Sequence, residues 1–179
     1  LAMENRLRIK QPLPPEYARW EPFAKPFDAH GDSGSNAVVV ELKLGIDKDG
    51  KPCDYWGKDI WFRGRLDAAI VKGGKAYLVD WKSGSSKYED PFELAIGAVL
   101  LQARFDAGTI RGQYAWLAEN RLGTLYDLSD TNKTFAEMRH LMEEIERDRA
   151  RDWFEKRKSG LCGWCSCTHC ENHFVARPR

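Results

Sequence analysis

No run in this sequence approaches the ~18 consecutive apolar residues of a membrane-spanning helix, so a membrane is not among the expected partners. The opening "LAMENRLRIK" is charged and lacks the apolar core of a secretory signal. Charge of one sign is missing too: Lys and Arg total 28 against 27 Asp and Glu. A polyanionic partner would therefore have to be met by local positive charge, not by a general field. Cysteines number five, and four of them crowd into residues 162–170, too few and too clustered for a disulfide scaffold. With no secretory signal, that clustering favours metal ligation and a cytoplasmic setting. Repeats and low-complexity segments are also absent. What is present, 179 residues that are 42% hydrophobic and 31% charged, suits one domain with a proper core and a small appendage.

Periodicity and punctuation divide the chain. Residues 1–8 read as the end of a helix, and a Pro-rich break leads into a short helix from about Pro15. Residues 30–36 form a loop, and 37–46 a strand with Val39, Glu41 and Lys43 on one face. A polar connection over 47–59 precedes two strands, 60–72 and 75–82. Asp90 as N-cap with Pro91 at N1 opens a helix running to 105. Strands are expected over 112–120 and 121–128, and a charged amphipathic helix over 134–158. The order predicts an α/β domain, residues 1–158, with a mixed central β-sheet flanked by helices. A small C-terminal cysteine knob, 159–179, follows it.

The hairpin carries the chemistry. Gly73-Gly74 favours a two-residue turn with positive φ at both positions. Counting outward, Lys72 faces Lys75, Ala69 faces Leu78, and Asp67 lands opposite Asp80. Like charges across a ladder destabilise a sheet, and two desolvated carboxylates raise each other's pKa unless a cation joins them. Mg²⁺ (or Mn²⁺) suits such a site, because it takes hard oxygen ligands and keeps waters in its remaining positions. The backbone carbonyl of Trp81 is a further candidate ligand. Alternation puts Lys82 on the face of Asp80, where its ammonium can orient water or offset phosphoryl charge. Arg65 falls opposite Lys82 in the same register. The alternative is a surface hairpin whose acids merely pair with Arg65 and Lys82. Against it, Leu66, Ala68 and Ile70 with Tyr77, Val79 and Trp81 make the other face apolar as well.

Gly64-Arg65-Leu66-Asp67 followed by Val79-Asp80-Trp81-Lys82-Ser83-Gly84 resembles the PD-(D/E)XK nuclease superfamily, whose fold is restriction-endonuclease-like. Within it the RecB-like exonucleases, phage-encoded members included, are most similar, through "PLPPEYARWEP", "VVVELKL", "WFRGRLD", "VDWKSG" and "GLCGWCSCTHC". The resemblance implies Asp67 and Asp80 as metal ligands, Lys82 as the catalytic lysine, and hydrolysis of DNA phosphodiesters in phage or bacterial recombination or processing. It adds Glu41 as a further catalytic acid, and a recombination protein, such as an annealing or single-strand-binding protein, as a partner. A structure-specific or nicking endonuclease, or a catalytically degenerate binding domain, are the other readings. One departure stands out: the family's Gln-Leu-x-x-Tyr signature is here Glu93-Leu94-Ala95-Ile96-Gly97. Two roles are open to Glu93, an approach to the metal or the ordinary place of an acid in the first turn of a helix, and the second is expected.

Cys162, Cys165, Cys167 and Cys170 suit Zn²⁺ or an iron–sulfur cluster better than two relaxed disulfides. The resemblance implies a 4Fe–4S cluster with one ligand from far upstream, where Cys53 does not match. It also implies a His-x-x-x-Glu helix, of which Glu4 would be the glutamate and the histidine would precede Leu1. The chain is accordingly expected to be a fragment. Trp56, Lys58 and Arg63, with Arg65, form an aromatic and basic group suited to DNA. His30 and His140 carry no partner signal.

Overall fold

Eight short and long strands join in one mixed sheet among the described residues, which in this computed structural model are 2–29, 32–33 and 36–174. They are β1 (Asp32–Ser33), β2 (Asn36–Ile46), β3 (Pro52–Cys53), β4 (Phe62–Lys72), β5 (Lys75–Lys82), β6 (Thr109–Trp116), β7 (Arg121–Leu122) and β8 (Tyr126–Asp127). The order is β1-β2-β4-β5-β6-β7, with β3 against β2 and β8 against β6. Only β5 and β6 run parallel, as the helix crossing between them requires. Four α-helices are described: α1 (Ala2–Arg8), α2 (Glu21–Asp28), α3 (Phe92–Phe105) and α4 (Thr131–Ala150). Residues 15–20 are a 3₁₀ turn feeding α2. No described helix is long and apolar enough to cross a membrane. The restriction-endonuclease-like architecture expected from the sequence is the one observed.

The chain divides into two units, Leu1–Met138 and Arg139–Arg179. In the first, the sheet is buried on both faces. Phe27, Met3 and Leu7 from α1 and α2 meet Ala68, Ile70, Val79 and Ala115 on one side. Leu94, Ala98, Val99 and Leu101 of α3 meet Ala69, Val71, Ala76 and Leu78 on the other. The turn holds as predicted: Gly73 and Gly74 have φ of 53° and 72°, and Lys72 pairs with Lys75 and Ala69 with Leu78.

Several boundaries moved for identifiable reasons. The loop expected over 30–36 lies partly outside the described residues, as does His30, but Asp32–Ser33 pairs with residues 36 and 37. Helix α3 starts at Phe92, where the Asp90 carboxylate accepts the backbone N–H at 2.9 Å. Strand β6 begins at residue 109 and stops at 116, because Glu119 and Asn120 fold back onto Trp116 and Leu117 carbonyls. The strand expected over 121–128 is broken in two, since Gly123 N–H donates to the Tyr114 carbonyl and Thr124 N–H to Glu89. Helix α4 opens three residues early and ends at Ala150, not 158. Asp152, at φ 50°, closes it: its N–H donates to the Arg149 carbonyl and that of Trp153 to Asp148. That is a Schellman motif, which periodicity alone does not reveal.

Arg6 ties the N-terminal helices together. Its Nε donates to Glu21 at 2.8 Å, and its two terminal nitrogens donate to both oxygens of Asp28 at 2.9 and 2.7 Å. Glu21 also accepts the Leu13 N–H. That bond, with Arg6, holds the Glu21 carboxyl below its usual range, and Arg6 does the same for Asp28. Arg6→Ala is expected to cost about 1–2 kcal/mol at pH 7. Both acids have depressed pKa values, so their contribution is present above the ordinary carboxylate range near pH ~4 and lost as pH falls below it. Urea unfolding at neutral pH and near pH ~3 checks this: the gap between variant and parent should shrink on acidification.

Candidate active site

The faces of β2 and β4 exchange at one matched position. On β4, Leu66 and Ala69 both pack toward α3, while Ala68 packs toward α1 and α2. On β2, Val39 and Leu42 lie toward α3 and Val40 toward the other side. Strict alternation would separate residues three apart. The interruption is at Glu41, whose φ of 52° lies in the left-handed region. Asp67 is its partner in register, because Val40 pairs with Ala68 and Leu42 with Leu66. The expectation that Val39, Glu41 and Lys43 share a face is therefore corrected, as is the placing of Leu66 with Ala68 and Ile70.

Strand β5 keeps its alternation, so β4 and β5 part there. Ala68–Val79 is the last pair of their ladder. Beyond it, Asp67 Oδ2 accepts the backbone N–H of Trp81 at 2.9 Å, a side chain standing in for a carbonyl. Trp81 thus brings its N–H to this point. Arg65 does not face Lys82 as the simple register implies, because the ladder has ended. Its backbone pairs with Lys43 and its Nε lies 2.9 Å from Glu41 Oε2.

Where the strands part, a cleft of about 480 Å³ opens, bordered by Arg65, Asp67, Asp80, Lys82, Glu93 and Tyr114 among others. Asp80 is its most constrained acid. Burial pushes its carboxyl up to about 6 despite the nearby ammonium of Lys82, and the neighbouring Asp67 adds to the rise. Lys82 Nζ is 2.9 Å from Asp80 Oδ2 but approaches off the hydrogen-bonding angle, so this buried oxygen has no donor among the described residues. The well-directed bond of Lys82 goes instead to Glu93 Oε2, at 2.7 Å. Burial works against the Lys82 ammonium, but Glu93 and Asp80 outweigh it and hold its pKa above the ordinary lysine value. Tyr114, in register with Asp80 on β6, lies beneath Lys82 with its ring centroid 5.5 Å from Nζ. Burial and the acids at 93 and 80 raise its phenol.

Tyr114 escaped the sequence reading, and Glu93, read either as a first-turn acid or as approaching the metal, is an ion-pair partner of Lys82. Tyr114 left no local sign, since only the parallel crossover brings β6 beside β5. Gly97 is a packing requirement. A Cβ there would stand 2.8 Å from Leu78 Cδ2 and 3.1 Å from Leu66 Cδ2, so glycine lets α3 lie close on the sheet. Glu4 pairs with Arg8 within α1 and does not border the cleft.

The aromatic and basic group is assembled in part. Arg63 lies over Trp56 at 4.4 Å, with Tyr55 and Lys43 beside them. Lys58 stands exposed in the next turn with no ion-pair partner among the described residues. In the second unit, Cys162, Cys165, Cys167 and Cys170 are free thiols. Among the described residues no three Asp, Glu, His or Cys side chains gather as a metal site would, at the tail or at the cleft. In the tail, Cys162 Sγ is taken up as acceptor of the Ser159 N–H, and Cys165 and Cys167 are exposed. As placed, these thiols are not a ligand set. His140 lies 3.6 Å from Glu144 on α4.

The donor chemistry of the cleft does fit a hard divalent ion. Asp80 Oδ2 is a buried anionic oxygen without a donor, and Asp67 beside it spends one oxygen on a backbone N–H. One or two carboxylates with water completing the shell is the arrangement Mg²⁺ takes. No curated protein matches the chain. The model of one family does, over residues 11–171, which include every strand of the sheet. With that match spanning β4, β5 and α3, the chain belongs to the PD-(D/E)XK nuclease superfamily, whose members are generally phosphodiester hydrolases.

Proposed function

We propose that the protein is a deoxyribonuclease dependent on Mg²⁺ or Mn²⁺, an exonuclease of the RecB-like branch acting on DNA in bacterial or phage recombination or processing. The observation that carries the reading is the buried Asp80 oxygen without a donor, set beside Asp67 and Lys82 where β4 and β5 part. Asp67 and Asp80 would hold the ion, which when bound supplies charge to activate water and to offset the phosphoryl oxygens. Lys82 is held protonated, so it acts by donating a hydrogen bond to water or to a phosphoryl oxygen, not as a base. Arg65 borders the same cleft and offers a second cation to the phosphate, with Glu41 fixing its guanidinium. Glu93 positions Lys82 in turn. Ligation of Zn²⁺ by the tail cysteines rests on their spacing, and a 4Fe–4S cluster there rests on the family resemblance.

The test is a gel assay on end-labelled linear DNA and on closed circular DNA, with Mg²⁺ and with EDTA. Mg²⁺-dependent loss of the linear form only is the expected result. Cutting of the circle would make the protein a nicking or structure-specific endonuclease. Binding without cleavage of either form would make it a degenerate, binding-only domain.

A further inference from the structure

We propose that Trp56 is a seat for an unpaired base, so that the DNA entering the cleft is single-stranded where it crosses β2 and β4; this rests on the nuclease reading. Trp56 is 69% exposed, the most open aromatic residue of the first unit among the described residues. Its position is nonetheless fixed. The Asp54 carboxylate accepts the Trp56 N–H at 3.0 Å, and the Asp54 carbonyl accepts the Gly57 N–H at 2.9 Å, closing an Asx-reinforced turn. A large apolar ring held out in water by a rigid turn contributes nothing to the core.

The ring is also electrostatically prepared. The Arg63 guanidinium lies 4.4 Å from its centroid, Lys43 lies 5.9 Å from it, and Tyr55 meets it edge-on at 4.9 Å. Arg63 donates to the Tyr55 carbonyl, which steadies it behind the ring. Neither Arg63 nor Lys43 has a carboxylate partner among the described residues. An aromatic face with unpaired cations around it satisfies both halves of a nucleotide, the base by stacking and the phosphate by charge. Duplex DNA offers the charge but keeps its base faces stacked, so the seat discriminates for an unpaired strand.

The seat stands on the strand that leads to the cleft, ahead of the exchange of faces at Asp67. Arg63 and Arg65 are alternate residues of β4, and Lys43 pairs with Arg65 across the ladder. Arg65 borders the cleft, and Asp67 is two residues further on. From Arg63 to Asp67 the strand advances roughly 13 Å, a reach that a short stretch of single strand spans easily.

The experiment measures binding in EDTA, where no divalent ion supports cleavage. The probes are a fluorescein-labelled oligo-dT strand and a blunt duplex of the same length, titrated with the full chain, Trp56→Ala and Trp56→Phe. The alanine variant should bind oligo-dT about 10- to 100-fold more weakly while duplex binding changes less than about threefold. Phenylalanine should restore most of the loss, and all three proteins should melt alike. Unchanged oligo-dT binding by Trp56→Ala, or equal loss on both probes, overturns the seat and leaves the nuclease reading standing. Failure of the parent chain to bind either probe overturns the nuclease reading itself, and the seat with it.

Discussion

Asp80→Asn is expected to abolish cleavage while making the protein more stable above pH 6. The loss of activity, about 10³-fold or more, follows from removing one of the two anionic groups at the cleft. The gain follows from the physics of the buried carboxyl, which holds its proton up to about 6 in the folded chain. An unfolded aspartate releases its proton near pH ~4. Between those values the folded state binds the proton more tightly, so stability falls as pH rises and the penalty is complete above the folded value. It is of order 1–3 kcal/mol. Asparagine keeps the shape and carries no charge to desolvate. Urea unfolding in EDTA should therefore show the variant above the parent at pH ~8 and close to it at pH ~4. Parent-like cleavage by this variant would remove Asp80 from the chemistry.

Lys82→Met should lose activity about 10²- to 10⁴-fold and shift stability the other way. Asp80 and Lys82 are both largely covered, with 20% and 30% of their side chains exposed. Taking away the cation leaves a buried carboxylate facing Asp67 with no compensation, at a cost of about 2 kcal/mol at pH ~8. The cost should vanish at pH ~4, where Asp80 is protonated with or without the lysine. Glu93 is a weaker participant, because 63% of its side chain is exposed, and its pair with Lys82 is screened by solvent. In the Asp80→Asn background the destabilisation by Lys82→Met should be much smaller, since the charge it leaves behind is gone. Equal destabilisation in both backgrounds would mean that Lys82 supports the fold by packing alone.

The parts of this molecule that could be read from the sequence depend on local geometry. A two-glycine turn sets its own register, and six residues of alternation on either side carry Asp67 and Asp80 toward each other. Helix α3 follows from Asp90, Pro91 and helical apolar spacing. The parts that could not be read depend on what happens between segments. Nothing local tells Glu41 to adopt a positive φ, because that conformation is stabilised by the apolar residues on both sides reaching opposite layers. The register of Tyr114 beside Asp80 is set by a crossover through α3. The pairing of Glu93 with Lys82 was the less expected of its two roles, because an acid in the first turn of a helix is ordinary by itself. The end of α4 was missed because its charged pattern continues beyond the point where Asp152 turns the chain.

The exchange of faces at Glu41 and Asp67 has a consequence for chain length. If both residues were deleted, Val39, Leu42 and Leu44 on one strand, and Ala69, Leu66 and Gly64 on the other, would fall on regular alternating positions. Their pairing, Leu42 with Leu66, would be unchanged. The two acids are thus an extra rung, one residue added to each of two neighbouring strands in an otherwise unbroken ladder. Losing one of them alone would throw every later pair out of step, whereas losing both would leave a regular ladder without the two acids. Insertions and deletions here preserve the ladder only in pairs, and the cleft opens at the added rung.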